Sequence, residues 1–449
     1  MVRAPRALNL APVAVLLAHG AALAGALTPN EPLRAPNGDP VCAIYFFPHW
    51  WEPWKTSDET VLRDLARLKA MGINTLLVDH EWSQAIDGNW GLLDRGHRLA
   101  RQAGLQILPW LSLKTWSDMG CDPGRIGLAR EWFGANLTQG VTQDGKPSSL
   151  LVYDEETVAA GAAYAEQYVR RYLDEGALAR FRWRGTTRPC VALTVELGWD
   201  GASFDGRTNG LFRDWLRRRY VDEVSRLNRA WGTSYGAFAD IDPRDTMVFD
   251  RPAHIEGRAA HPQAVEDHVE FCSQMVNRGL LAMKDRLRAK MPDLLIASEL
   301  PYPVGSRHPH AVAYRIGCNA NPSTAYHADV LFLRMTGPMD DVERQTLASH
   351  IRATGQKVVL CYRTYSDWGR PPAEGGADPT VVSELYGFEP ARFAHGIGFY
   401  SWNEMVDVHL SAPGQGSPIN EMTARPPVSD RMQAQAESIL RAYRGVYGR

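Results

Sequence analysis

Beyond residue 26 the chain has no apolar run approaching the roughly 20 residues that a helix needs to cross a bilayer, which excludes a spanning helix there. The six cysteines, Cys42, Cys121, Cys190, Cys272, Cys318 and Cys361, contain no CxxC pair, so neither a zinc site nor a thiol redox motif is expected. Neither sign of charge is in excess. Lys and Arg number 49 against 51 Asp and Glu, a formal net charge of −2, and this leaves no basic footprint for nucleic acid or anionic lipid. No GxGxxG follows the first predicted strand and there is no Walker loop, which weakens any nucleotide-binding reading. A serine-hydrolase triad is not expected either, no GxSxG elbow being read in the chain.

What the chain does have is aromatic residues, 14 Trp and 16 Tyr, and a regular alternation of apolar runs with helical stretches. Residues 1–26 stand apart from it. Arg3 and Arg6 precede a short, small-residue-rich apolar run, and Ala22-Leu23-Ala24 suits signal peptidase, so this segment reads as a signal peptide and the protein as secreted or periplasmic. The rest, 27–449, reads as one domain.

Eight strands are predicted, at 41–50, 74–82, 105–113, 189–199, 293–303, 329–337, 357–368 and 396–405, each followed by a helical pattern. Cys42, Asn74 and Gln106 recur at the spacing of successive βα units. The rhythm stretches after the third strand (114–150) and after the fourth, where 200–262 carries a helix of its own, LFRDWLRRRYVDEVSRLNRAWG. Such an order predicts an α/β fold, a (β/α)8 TIM barrel with insertions after strands 3 and 4, with a doubly wound open sheet as runner-up. Cys42, Cys190 and Cys361 fall in strands and read as buried thiols. Cys121 and Cys318 fall in loops and are the pair to test for a disulfide.

In such a barrel the C-terminal strand ends converge on one pocket. The fourth strand, PCVALTVELGW, ends on Glu196 beside Trp199. The other ends supply Trp50; Asp79, His80 and Trp82; Trp110; Glu299 and Tyr302; Arg334; Tyr362 and Arg363; and Trp402 with Glu404. Glycoside hydrolysis needs this mixture: one carboxylic acid to protonate the leaving oxygen, a second carboxylate as nucleophile or base, and aromatic faces for sugar rings. The catalytic candidates are Glu196, Glu299, Glu404 and Asp79, and the other residues named are candidates for holding substrate. Duller readings stand beside these. A phase error of one residue reverses a strand side chain, Glu404 being exposed to that reading, and Arg334 and Arg363 are as well suited to holding carboxylates as to touching sugar. Neighbouring strand residues point to opposite faces, so Asp79 and His80 do not make a metal pair, and no metal or cofactor is expected.

The stretch LFRDWLRRRYVDEVSRLNRAWGTSYGAFADI (211–241) resembles the segment after the fourth strand in glycoside hydrolase family 42 β-galactosidases, where a phrase like LNxAWGTxYxxF follows an acid-bearing strand. MGINTLLVDHEWSQ, LARQAGLQILPWLS and GIGFYSWNEM look like further strands of the same clan. The resemblance implies that Glu196 is the acid/base, although Val195 stands where the family has Asn. It also implies a nucleophile ending strand seven, where this chain has Cys361-Tyr362-Arg363 and no Glu. Glu299, one strand from Glu196, is therefore the first choice of partner. The expectation is an exported glycoside hydrolase acting on an oligo- or polysaccharide, with a catalytically silent carbohydrate-binding barrel or a polysaccharide lyase as alternatives.

Overall fold

The computed structural model describes residues 31–46, 56–80, 82, 85, 89–111, 131, 136–141, 145–193, 203–246, 260–300, 328–335, 341–363, 394–400, 402 and 428–447. Chain order is β1 (Cys42–Tyr45), α1 (Asp58–Met71), β2 (Thr75–Asp79), α2 (Gly91–Ala103), β3 (Gln106–Leu111), a hairpin β4 (Gln139–Val141) and β5 (Pro147–Leu150), and α3 (Glu155–Tyr172). Then come β6 (Arg180–Trp183), β7 (Thr186–Leu193), α4 (Gly206–Arg219), α5 (Val224–Trp231), the short α6 (Pro243–Thr246) and α7 (Pro262–Lys290). The remainder is β8 (Leu295–Leu300), β9 (Val330–Met335), α8 (Asp341–Thr354), β10 (Lys357–Arg363), β11 (Gly396–Tyr400) and α9 (Val428–Tyr447). Residues 1–26, read from the sequence as a signal peptide, lie outside the described residues, as do Cys121 and Cys318.

Parallel pairing runs β3-β2-β1-β11-β10-β9-β8-β7 and closes on itself where Trp110 and Leu111 of β3 pair with Ala192 and Leu193 of β7. This is the (β/α)8 barrel. Strand alternation sorts its side chains into two layers. Ala43, Tyr45, Leu77, Leu108, Trp110, Cys190, Ala192, Leu295, Ala297, Val330, Phe332, Val359 and Cys361 fill the lumen. Residues between them, such as Ile44, Val78, Leu331, Leu360 and Phe399, pack outward against the helices. Both faces are buried, which is why the strands read as unbroken apolar runs.

The first helix shows how local signals set the frame. Ser57 caps α1 by accepting from the Thr60 N–H, and Gly72 ends it at φ 108 in the left-handed region. Val61, Leu65, Leu68 and Met71 lie buried along one face. The positive φ is what requires glycine there, and a Cβ would also displace the end of the Arg444 side chain, which lies 2.6 Å away.

On β11 the lumen positions are Gly396 and Gly398. A Cβ on Gly398 would come within 2.9 Å of the Cys361 sulfur and 3.3 Å of the Ala43 carbonyl oxygen. Gly398→Ala is therefore expected to destabilise the barrel by about 1–3 kcal/mol through overpacking. In a Cys361→Ala background the penalty should shrink, which urea denaturation of the four variants would measure.

One pairing was not legible in the sequence. The fourth barrel strand begins at Thr186, three residues before its predicted start, because its first half pairs antiparallel with β6. The turn is Arg184-Gly185, both with positive φ (48° and 83°), as a two-residue hairpin requires. Phe181 and Ala179 from this hairpin join Leu33 in the lumen cluster and close the N-terminal end of the barrel.

The insertion after the fourth strand has a core of its own, with Phe212, Trp215, Leu216, Leu227, Trp231, Phe238 and Phe271 at its centre. Fully buried Asp267 on α7 holds it together. Its carboxylate accepts from the Tyr220 hydroxyl (2.5 Å), the Trp231 indole (2.8 Å) and Gln263 (2.8 Å), and pairs with Arg219 (2.9 Å). Asp267→Ala strands these donors and is expected to cost about 3 kcal/mol or more, read as a lowered denaturation midpoint.

Candidate active site

The strand ends that form the mouth are best seen from β2. Asp79 ends that strand, two residues past lumen-facing Leu77, and is half-buried. Its register partner on β3 is Trp110, whose ring meets Tyr45 edge-on with centroids 4.6 Å apart. A carboxylate, an indole and a phenol thus share the lumen side of three adjacent strands.

Three more candidates occupy strand positions in the same phase. Glu299 lies two residues past Ala297 and pairs in register with Phe332. Arg334 lies two past Phe332 and pairs with Cys361, and Arg363 lies two past Cys361 and pairs with Tyr400. Strands β7 and β8 are neighbours, paired from Cys190 to Ala192 with Leu295 to Ala297. Trp50, Glu196, Trp199, Tyr302 and Glu404 lie outside the described residues.

The structure puts four sequence candidates elsewhere. His80 and Trp82 are 0% exposed, Trp402 is 0% and Tyr362 is 2%. Trp82 belongs to the helix-side core near α3, and Tyr362 and Trp402 belong to the other helix-side core. The reason is strand alternation: His80 directly follows Asp79 and Tyr362 directly precedes Arg363, so each falls on the opposite face from its neighbour. These side chains pack between wall and helices rather than line the lumen.

His80 sits in a buried polar row that sequence reasoning missed. The Ala177 N–H donates to His97 Nδ1 (3.0 Å), so the neutral His97 ring carries its proton on Nε2 and donates to the Tyr168 hydroxyl (2.6 Å). Tyr168 is in turn hydrogen-bonded to His80 Nδ1. Burial holds both histidines neutral, His97 at about 3 and His80 well below its ordinary value, the latter also because charges on both rings would repel. Burial likewise pushes the Tyr168 phenol well up. The available signal was Tyr164, Tyr168 and Tyr172 at four-residue spacing on α3, a stripe that by itself reads as core.

Other chemistry-bearing residues are committed to structure. Cys42, Cys190, Cys272 and Cys361 are buried free thiols. Burial raises Cys42 and Cys272 to about 12, which makes them poor nucleophiles. The string GTSYG (232–236) has the letters of a nucleophile elbow, yet it follows helix α5, with Gly232 as the cap at φ 71. Asn228 accepts from Thr233 and from the Tyr235 N–H there, so the phrase LNRAWGTSY is a folding motif. Among the described residues no group of three or more His, Cys, Asp or Glu is placed to hold a metal, and no helix is long and apolar enough to cross a membrane.

Residues 191–308 match the family model for glycoside hydrolase family 42, described as beta-galactosidase. The chain is a distant relative of that family. The matched segment spans both Glu196 and Glu299, together with the whole Asp267 cluster. Among solved structures, a family 42 β-galactosidase from G. stearothermophilus superposes with a TM-score of 0.57 at 13% identity, covering 94% of this chain and 58% of that chain. A β-galactosidase from the Antarctic haloarchaeon Halorubrum lacusprofundi gives 0.55 at 17%, over 90% of this chain and 58% of that one. The β-amylase catalytic domain of Paenibacillus polymyxa gives 0.53 at 14%, over 85% and 97%. This chain therefore spans little more than half the length of these β-galactosidases, and at such identities the likeness is one of fold. No curated protein is similar in sequence.

Proposed function

We propose that the protein is an exported glycoside hydrolase that cleaves an O-glycosidic bond of an oligo- or polysaccharide at the C-terminal mouth of the barrel. The observation that carries this is the mouth itself: Asp79 and Trp110 are paired in register on the lumen side, and the strand positions of Glu299, Arg334 and Arg363 are in the same phase. The family 42 match, which includes both Glu196 and Glu299, supports the same reading.

In this reading one of Glu196 and Glu299 protonates the leaving oxygen and the other acts as nucleophile or base. A separation of about 5.5 Å would retain the anomeric configuration, and about 6.5–9.5 Å would admit a water and invert it. Asp79 accepts from a sugar hydroxyl and Trp110 offers an apolar face to the ring. Residues 1–26 direct export, which places the enzyme outside the cytoplasm, where it meets polymeric sugar.

The test is reducing-sugar release from a panel of aryl glycosides and polysaccharides, β-galactosides first because the similar proteins are β-galactosidases. Release from at least one is expected. Binding without release would favour a silent carbohydrate-binding barrel, and products absorbing in the ultraviolet a lyase.

A further inference from the structure

Helix α3 presents Tyr164, Tyr168 and Tyr172 at intervals of four, one above another on the side facing β2 and α2. Each hydroxyl is committed. Tyr164 donates to the His80 carbonyl (2.7 Å), Tyr168 joins His80 to His97, and Tyr172 donates to Asp94 (2.8 Å) while stacking on His97 with centroids 3.7 Å apart. Asp94 is further held by Arg171 (2.6 and 2.8 Å).

The direction of this row decides what it can do. A peptide N–H only donates, so His97 accepts from Ala177 at Nδ1 and donates from Nε2 to Tyr168, which is bonded in turn to His80 Nδ1. A row anchored in this manner cannot pass protons along, but it does fix rings and tautomers. Its far end is His80 Nε2, fully buried and without a hydrogen-bond partner among the described residues.

His80 is tied at every other point as well. Its N–H donates to the Trp110 carbonyl (3.0 Å), its own carbonyl accepts from Tyr164, and Nδ1 is hydrogen-bonded to Tyr168. The residue directly before it is Asp79, register partner of the same Trp110. We propose that the tyrosine ladder of α3, acting through His80, is a positioning device that fixes the Asp79 carboxylate at the mouth for a sugar hydroxyl. This rests on the glycosidase reading above. Catalytic geometry is unforgiving: a displacement of about 1 Å can cost about 100-fold in rate.

The experiment compares wild type, Tyr168→Phe, Asp79→Asn and the double variant, with Tyr164→Phe as an independent second cut of the ladder. Amide hydrogen exchange and kcat/KM are read on each. In Tyr168→Phe the His80 amide should exchange at least tenfold faster while Leu76 and Leu77 on the same strand stay as in wild type. Its kcat/KM should fall about tenfold or more, yet fall no further when Asp79 is already Asn. Unchanged exchange at His80, or equal acceleration along β2, would overturn the proposal. So would a Tyr168→Phe loss of the same factor in both backgrounds, because Tyr168 would then act on the fold and not through Asp79. If Asp79→Asn retains wild-type kcat/KM, the proposal falls while the hydrolase reading stands. If wild type cleaves nothing, the hydrolase reading fails on its own and amide exchange still decides whether the ladder holds the end of β2.

Discussion

Glu299→Gln and Glu196→Gln are each expected to lower kcat by at least about a thousandfold with the fold intact. A carboxylate that transfers the proton contributes roughly 10²–10⁴ in rate, and one that also forms or hydrates the glycosyl intermediate contributes more. Glutamine keeps size and polarity but carries no transferable acid proton and no negative charge. Glu299 stands on β8, which pairs with β7 from Cys190 to Ala192, and Glu196 follows three residues after the end of β7 in the sequence. Loss in Glu196→Gln alone would move the second carboxylate to Glu404 or Asp79. Loss in neither would remove the strand-four and strand-five pair from the mechanism. The measurement is initial rate against the best substrate of the panel, beside circular dichroism spectra that show both variants folded.

Acidification should unfold the protein well above the pH at which carboxylates titrate. Burial depresses His97, His268 and His395 to about 3, the last also through the nearby charge of Lys357, and depresses His80 well below its ordinary value. The sign follows from the neutral ring being the folded form. Below about 6.5 the unfolded chain binds protons that the fold excludes, so this stability is complete above that value and is lost as pH falls toward 3. At pH 5 each of the three costs about 2 kcal/mol, roughly 6 kcal/mol together, against a total stability of about 5–15 kcal/mol for a typical domain. The thermal midpoint should drop steeply between pH 6.5 and 5, and His268→Phe should flatten part of that slope. A midpoint independent of pH across this interval would mean that these rings are hydrated or already charged in the fold.

All eight barrel strands were legible, because a parallel strand buried on both faces leaves an uninterrupted apolar run between helix caps such as Ser57 and Gly72. The β6–β7 hairpin was not, since RFRW and TTR are mostly polar, with Phe181 in the lumen cluster and Trp183 only partly buried against it. At the mouth, Asp79 and Trp110 follow from their place at strand ends. His80 and Tyr362 sit one residue from lumen positions, and a sequence window does not fix strand phase closely enough to separate such neighbours. The LNRAWGTSY phrase was legible as a resemblance while its physical role was not. Its Asn228 turn and the bond from Trp231 to Asp267 build the insertion, and Asp267 lies 36 residues from that tryptophan in the chain.

The measurement that bears most directly on the central claim is a proton NMR time course of the wild-type enzyme with the glycoside it releases fastest. The account predicts a new reducing sugar whose anomeric signal appears in one configuration first and then mutarotates, and no such signal with Glu196→Gln. Line broadening of the intact glycoside with no product over the same period would contradict it and leave a barrel that binds sugar without cutting it.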